Sequence, residues 1–122
     1  MKFNVMGWSL CKDRFIREVH VSGEKISAIV ERALKRLRRA ENGDDISFIV
    51  EDYYEVIKEL LVAYMLRDGM RSKNHQCLIS YFILKNPNYY LEAGIIQQMS
   101  YFRNMLNYYG KDVPEEFYEK NK

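Results

Sequence analysis

Residues 44–69 read DDISFIVEDYYEVIKELLVAYMLRDG and predict the longest and most apolar helix of the chain. Apolar residues recur there every three or four positions, which is the spacing of one face of an α-helix. Asp44 or Asp45 can cap the start of this helix, and Gly69 suits its end. Because the helix is apolar on two sides, we expect it to be central in a bundle or to form part of an oligomer interface. One apolar stripe contains Ile46, Ile49, Tyr53, Ile57, Leu60 and Tyr64, and the other contains Phe48, Val62 and Leu66.

The segments on both sides of this helix show the same helical periodicity. No segment alternates polar and apolar residues for long enough to predict a strand. The connections are short, which favours antiparallel neighbours. The sequence therefore predicts an all-α antiparallel bundle in a single domain, residues 1–122. We expect its further helices at about Ser9–Val19, at Gly23–Ala40 after the N-cap Ser22, after Asn74 or Ser72 up to the NPN at 86–88, at Tyr89–Tyr109, and at PEEFYEK from Pro114.

Composition sets limits on the class of protein. With 122 residues, of which 48% are hydrophobic and 30% are charged, the chain can form one domain with its own core. The net charge of +2 neither requires nor excludes a nucleic-acid partner. The N-terminus lacks the apolar region and cleavage site of a signal peptide, and no apolar run approaches the ~18 residues of a membrane span. We therefore expect a cytoplasmic protein without a membrane segment.

The cysteines and histidines indicate no metal site. Cys11 and Cys77 have no metal-ligand spacing, and two reduced thiols fit a cytosolic protein better than the one bridge that they could form. His20 and His75 are far apart and lack a Cys–His or His–Glu spacing, so a zinc site is not expected. We interpret His75 as part of a helix-capping turn and His20 as a surface loop residue. The sequence predicts no metal and no cofactor.

The last long helix carries a polar face with a single charge. Residues 101–110 read YFRNMLNYYG. At 100° per residue, the polar residues form one continuous arc opposite a core stripe. A solvated surface is the simplest interpretation, but amides, hydroxyls and one guanidinium also suit a half-buried site that holds a phosphate and stacks a base. The core stripe contains Leu91, Ile95, Met99, Phe102, Leu106 and Tyr109, and the polar arc contains Gln97, Ser100, Arg103, Asn104, Asn107 and Tyr108.

Two stretches resemble one known family, and together they cover most of the chain. FRNMLNYYG, residues 102–110, resembles the C-terminal signature of HEPN domains, in which Arg-Asn is followed by a few residues and then by histidine or tyrosine. DDISFIVEDYYEVIKELLVAYMLRDGMRSKNHQCLISYFIL, residues 44–84, resembles the middle helices of that family. The shared features are a paired tyrosine, a long apolar helix that ends in glycine, and a helix that opens with a small polar residue and histidine.

The resemblance implies an up-and-down bundle of about five helices that forms a homodimer, with the two motif helices meeting at a cleft. Many such proteins are metal-independent ribonucleases, often toxins paired with a nucleotidyltransferase antitoxin, and others only bind. By this resemblance Arg103 holds a phosphate of RNA or a nucleotide, Asn104 supports it, and Tyr108 stands where the family has its histidine. Asn107 and Tyr109 are further candidates for nucleotide or RNA binding. We expect catalysis, if present, to use Arg103, Asn104 and Tyr108.

The tyrosine weakens the expectation of catalysis. Its pKa is ordinarily near 10, so it is a poor general base at neutral pH, although it can donate a hydrogen bond or stack. Binding of nucleotide or RNA is therefore expected more strongly than cleavage. The alternative is a non-catalytic interaction protein whose polar arc docks a nucleotidyltransferase partner or seals the dimer.

Two charged stretches elsewhere have simpler interpretations. The run KRLRRA, residues 35–40, is most simply the charged side of an amphipathic helix, although an RNA-facing surface is the alternative. The carboxylates of residues 51–59 follow helical spacing and are most simply a solvated face. They are Glu51, Asp52, Glu55 and Glu59.

Overall fold

The computed structural model describes residues 7–122, and these residues form a helical bundle. The helical architecture that the sequence predicts is confirmed in this range. The signal-peptide prediction depends partly on residues 1–6, which lie outside the described residues. A single turn of 3₁₀-helix, Pro87–Tyr89, leads into the fifth helix. The helices are α1 (Trp8–Arg14), α2 (Gly23–Glu41), α3 (Ile46–Arg67), α4 (His75–Lys85), α5 (Tyr90–Tyr109) and α6 (Glu115–Asn121), and the strands are β1 (Arg17–Glu18) and β2 (Met70–Arg71).

The helix ends follow the local signals in the sequence. The side chain of Asp45 accepts a hydrogen bond from the backbone N–H of Phe48 at the start of α3. Ser22 caps α2 and Asn74 caps α4 in the same way, so these N-cap predictions are confirmed. Gly69, just after α3, has a φ of 81°, a conformation that glycine adopts without the steric cost of a side chain.

Helix α3 is the centre of the bundle and packs against α2, α4 and α5. The buried line along α3 is displaced by one residue from the predicted stripe. Tyr54 and Leu61 are buried, whereas Leu60 is exposed. The prediction was wrong in this detail because a helix with neighbours on several sides has apolar residues all round, so periodicity does not select one stripe. The core around α3 contains Leu61, Met65, Leu78, Ile79, Tyr81 and Ala93.

The core stripe predicted for α5 is only partly confirmed. Met99 is buried in a cluster with Val50, Tyr54 and Val113. Leu91 and Tyr109, however, are 78% and 70% exposed, so their assignment to the core was wrong. Both lie in the end turns of α5, beyond the buried middle turns that pack against α3 and α4.

A two-stranded sheet was not predicted. Strands β1 and β2 pair antiparallel, with Arg17 opposite Arg71 and Glu18 opposite Met70. Two residues are too few to show an alternating pattern, so the sequence carried no signal for these strands. The pairing ties the segment after α1 to the segment between α3 and α4.

Cys11 and Cys77 form a disulfide, so the expectation of two reduced thiols was wrong. Both residues are fully buried, and their Cα atoms lie 5.6 Å apart where α1 packs against α4. A separation of 66 residues in sequence does not reveal this proximity. Disulfides are typical of oxidising compartments, so this bond is evidence against the predicted cytoplasmic location. That location stays a prediction. Among residues 7–122, no helix has the length and apolar character needed to cross a membrane.

Candidate functional site

Arg103 lies half-buried on α5 and contacts acceptors on two helices. Its Nη2 atom is 3.2 Å from Oε1 of Glu55 on α3, and its Nη1 atom donates to Oδ1 of Asn104 at 3.3 Å. Its guanidinium carbon is 5.8 Å from the centre of the Tyr54 ring, within the range of a cation–π contact. Asn104 thus contacts Arg103 as the resemblance implied, but the sequence did not identify Glu55 or Tyr54 as neighbours of Arg103.

Two further contacts complete the charge pattern around Arg103. Oε2 of Glu55 is 2.6 Å from Nζ of Lys58, so Glu55 bridges a lysine and an arginine. With its amide oriented to satisfy both neighbours, Asn107 donates to Oε2 of Glu51 at 2.9 Å and accepts from Nε of Arg103 at 3.3 Å. Arg103 of α5 thus faces two carboxylates of α3, and one of them, Glu55, also pairs with Lys58 on its own helix.

His75 joins this group through Tyr54. The Tyr54 hydroxyl lies 3.2 Å from Nδ1 of His75, the first residue of α4, and the partner that donates depends on the imidazole tautomer. Burial lowers the pKa of His75 below its ordinary value of 6.5, and the positive charges of Lys58 and Arg103 lower it further. Burial also raises the pKa of Tyr54. His75 is therefore a neutral imidazole at pH 7.

We call these residues the Arg103 cluster, and the cluster joins three helices. The sequence interpretation of His75 as part of a helix-capping turn was incomplete, because its ring also contacts the Tyr54 hydroxyl, while Asn74 provides the cap. A signal for this arrangement existed, since the paired tyrosine and the histidine were both part of the HEPN resemblance. The Arg103 cluster consists of Glu51, Tyr54, Glu55, Lys58, His75, Arg103, Asn104 and Asn107.

Tyr108 and Tyr109 do not belong to the cluster. Tyr108 is 72% exposed and Tyr109 is also exposed at the C-terminal end of α5. Within residues 7–122 neither makes a hydrogen bond to a cluster residue, so the structure does not bring the predicted Arg-Asn…Tyr motif together at one point.

The carboxylates of α3 are not a simple solvated face. Besides Glu55, Asp52 pairs with Arg39 at 2.5 Å, and Glu59 pairs with Arg36 at 3.4 Å. Arginines of the KRLRRA run therefore hold α2 against α3. This contact favours the structural interpretation of that run over an RNA-facing surface.

The arrangement suits proton transfer and anion binding by side chains. A guanidinium supplies hydrogen-bond donors for a phosphate, and a neutral imidazole can exchange a proton near neutral pH. Among the described residues 7–122, no group of three or more histidine, cysteine or acidic side chains is placed to hold a metal ion.

No protein-family model, no curated protein and no solved structure matches this chain.

Proposed function

We propose that this protein is a HEPN-like, RNA-binding protein that cleaves RNA at the Arg103 cluster without a metal ion. The observation that supports this proposal best is the position of His75. The family's motif histidine is replaced by Tyr108, yet an imidazole from α4 reaches Tyr54, over which the Arg103 guanidinium lies. The acid–base group would thus come from a different helix.

Arg103 would bind the scissile phosphate. Glu55 lies closer to Lys58 than to Arg103, at 2.6 Å against 3.2 Å. A phosphate oxygen can therefore replace Glu55 at the guanidinium while Lys58 keeps the carboxylate neutralised. Such an exchange lowers the cost of binding, because neither carboxylate nor guanidinium is left buried without a partner.

His75 would move the proton. Cleavage of RNA without a metal begins when the 2′-hydroxyl attacks the adjacent phosphorus. The 5′-oxygen is displaced and takes a proton from water to become a hydroxyl, and a 2′,3′-cyclic phosphate remains. In the tautomer that donates from Nδ1 to the Tyr54 hydroxyl, Nε2 of His75 has a lone pair that accepts the 2′-hydroxyl proton. Tyr108, one helical turn after Asn104, would stack on a neighbouring base.

The experiment compares cleavage of a mixed RNA pool in EDTA by the wild type, His75→Gln and His20→Gln. His20 is exposed and lies outside the cluster, so it is the matched control. We expect His75→Gln to lose cleavage by about 10²-fold or more, as for removal of a general base. His20→Gln should retain the wild-type rate. A folded wild type that does not cleave, or a His75→Gln variant that cleaves normally, would contradict the catalytic proposal.

A second candidate function is a docking surface on α5. Tyr101 and Tyr108 are both exposed, and a spacing of seven residues places them on one face of the helix. Tyrosine is enriched in protein interfaces. This face would hold a second copy of the chain or a nucleotidyltransferase partner. Sedimentation of the wild type and of Tyr101→Glu tests the homodimer, because a buried charge should dissociate it.

A further inference from the structure

A basic cavity adjoins the Arg103 cluster and shares Lys58 and His75 with it. It has a volume of about 570 Å³ and is bordered by α2, α3, β2 and the start of α4. Of the residues within 7–122 that line it, none is acidic. Lysine and arginine side chains and one histidine line it: Lys25, Lys58, Arg71, Lys73 and His75.

Three of these cations are not neutralised by the protein. Lys25, Arg71 and Lys73 are exposed, and they form no ion pair with any residue in the described range 7–122. Only Lys58 has a carboxylate partner, Glu55. Like charges gathered around one concavity raise the local positive potential, and a bound anion with two negative charges would relieve their repulsion.

The rest of the cavity is apolar and large enough for an organic ligand. Val62, Met65 and Leu78 form part of its wall, and Met65 and Leu78 are buried core residues. Its volume falls within the range of roughly 300–1,000 Å³ that is usual for small-molecule sites. The N-terminal end of α4 also contributes partial positive charge at His75. The cavity thus combines cationic side chains with an apolar wall.

We propose that this cavity binds a phosphomonoester that carries an aromatic base, namely a nucleotide. The phosphate would lie between Arg71 and Lys73, and the base would pack against the apolar wall. Two sources share this chemistry, a free mononucleotide and the phosphorylated end of an RNA strand. This nucleotide site differs from the proposed phosphate position at Arg103, since Lys25, Arg71 and Lys73 lie outside the Arg103 cluster.

The test is calorimetric titration of the wild type with AMP, with adenosine, and with a short RNA carrying either a 5′-phosphate or a 5′-hydroxyl. AMP should bind and adenosine should not. The variant Arg71→Gln/Lys73→Gln should lose affinity for AMP by roughly tenfold or more, because charge-assisted hydrogen bonds are removed. Both side chains are exposed, so the fold should be retained, and circular dichroism checks this.

The matched control is Lys111→Gln/Lys120→Gln, which removes the same charge from exposed positions that do not line the cavity. It should bind AMP as the wild type does. Stronger binding of the 5′-phosphorylated RNA than of the 5′-hydroxyl RNA would identify the strand end as a ligand, and binding of AMP alone would identify the free nucleotide. Either result supports the site.

Equal binding of AMP and adenosine, no AMP binding at millimolar concentration, or unchanged AMP affinity in Arg71→Gln/Lys73→Gln would overturn the proposal. Arg103→Gln separates this site from the cleavage site. If Arg103→Gln binds AMP normally while the wild type does not cleave RNA, the proposed function fails and the nucleotide site stands.

Discussion

Helix α3 holds two arginines from neighbouring helices in contacts of nearly equal geometry. Arg36 of α2 lies 3.4 Å from Glu59, and Arg103 of α5 lies 3.2 Å from Glu55. The exposed fractions of the two arginine side chains are 24% and 23%, and those of the two glutamates are 19% and 15%. Distance and burial alone therefore do not distinguish these pairs.

The neighbours of the two pairs distinguish them. Arg36 shares its surroundings with Arg39 and Asp52, which pair with each other, so oppositely charged side chains surround that contact. The guanidinium of Arg103 contacts the Tyr54 ring and the side-chain amides of Asn104 and Asn107. Tyr54 in turn contacts His75. A half-buried ion pair is weak evidence for function, because structural pairs look the same. Arg103 differs from Arg36 because the side chains around it can bind a phosphate or move a proton.

The largest expected effect comes from removing the disulfide, which fixes α4 two residues after His75. Cys11→Ala/Cys77→Ala should lower the free energy of unfolding by about 4 kcal/mol, because the unfolded chain regains the entropy of a 66-residue loop. Denaturant unfolding measures this change. The Arg36 contact between α2 and α3 should survive in the folded variant, whereas RNA cleavage should fall as α4 loosens. Equal stability with and without the bond would contradict the structure.

A smaller effect is expected when either arginine is neutralised. Arg103→Gln and Arg36→Gln should each lower the free energy of unfolding by about 1 kcal/mol, since both pairs are partly solvated. Thermal unfolding of the two variants side by side measures the difference. A much larger loss for Arg103→Gln would mean that the Arg103 cluster has mainly a structural role.

The smallest effect concerns the protonation of His75. Because the pKa of His75 is below 6.5 in the folded protein, the unfolded state takes up this proton first as the pH falls. The contribution of His75 to stability should therefore be complete above about pH 6.5 and be lost as the pH falls from there towards the folded pKa. Titration of the imidazole resonances by NMR measures the midpoint directly.

The variant Lys58→Gln tests the cause of the lowered pKa of His75. It removes one of the positive charges that lower the pKa of His75, so the midpoint should move upward. Glu55 and Arg103 also act on the imidazole, in opposite directions, and both remain in this variant. A midpoint above 6.5 in the wild type would show that the surroundings of His75 do not lower its pKa.

The sequence predicted much of the fold and less of the site. Helical periodicity and caps such as Asp45 and Asn74 are local signals, so the helices could be predicted. The disulfide could not, because it depends on how α1 packs against α4. Arg103 and Asn104 were proposed as site residues from a local motif, and this assignment stays a prediction. The contacts of Arg103 with Glu55 and of Tyr54 with His75 join residues of different helices, and helix packing alone brings them together.

We propose that the Arg103 contact serves RNA cleavage, whereas the Arg36 contact holds α2 against α3. The most direct test is cleavage of one RNA pool in EDTA by the wild type, Arg103→Gln and Arg36→Gln under the same conditions. We expect Arg103→Gln to lose cleavage by about 10²-fold or more, because a cation is removed from the transition state, while Arg36→Gln should stay close to the wild-type rate. Equal rates in both variants would contradict it.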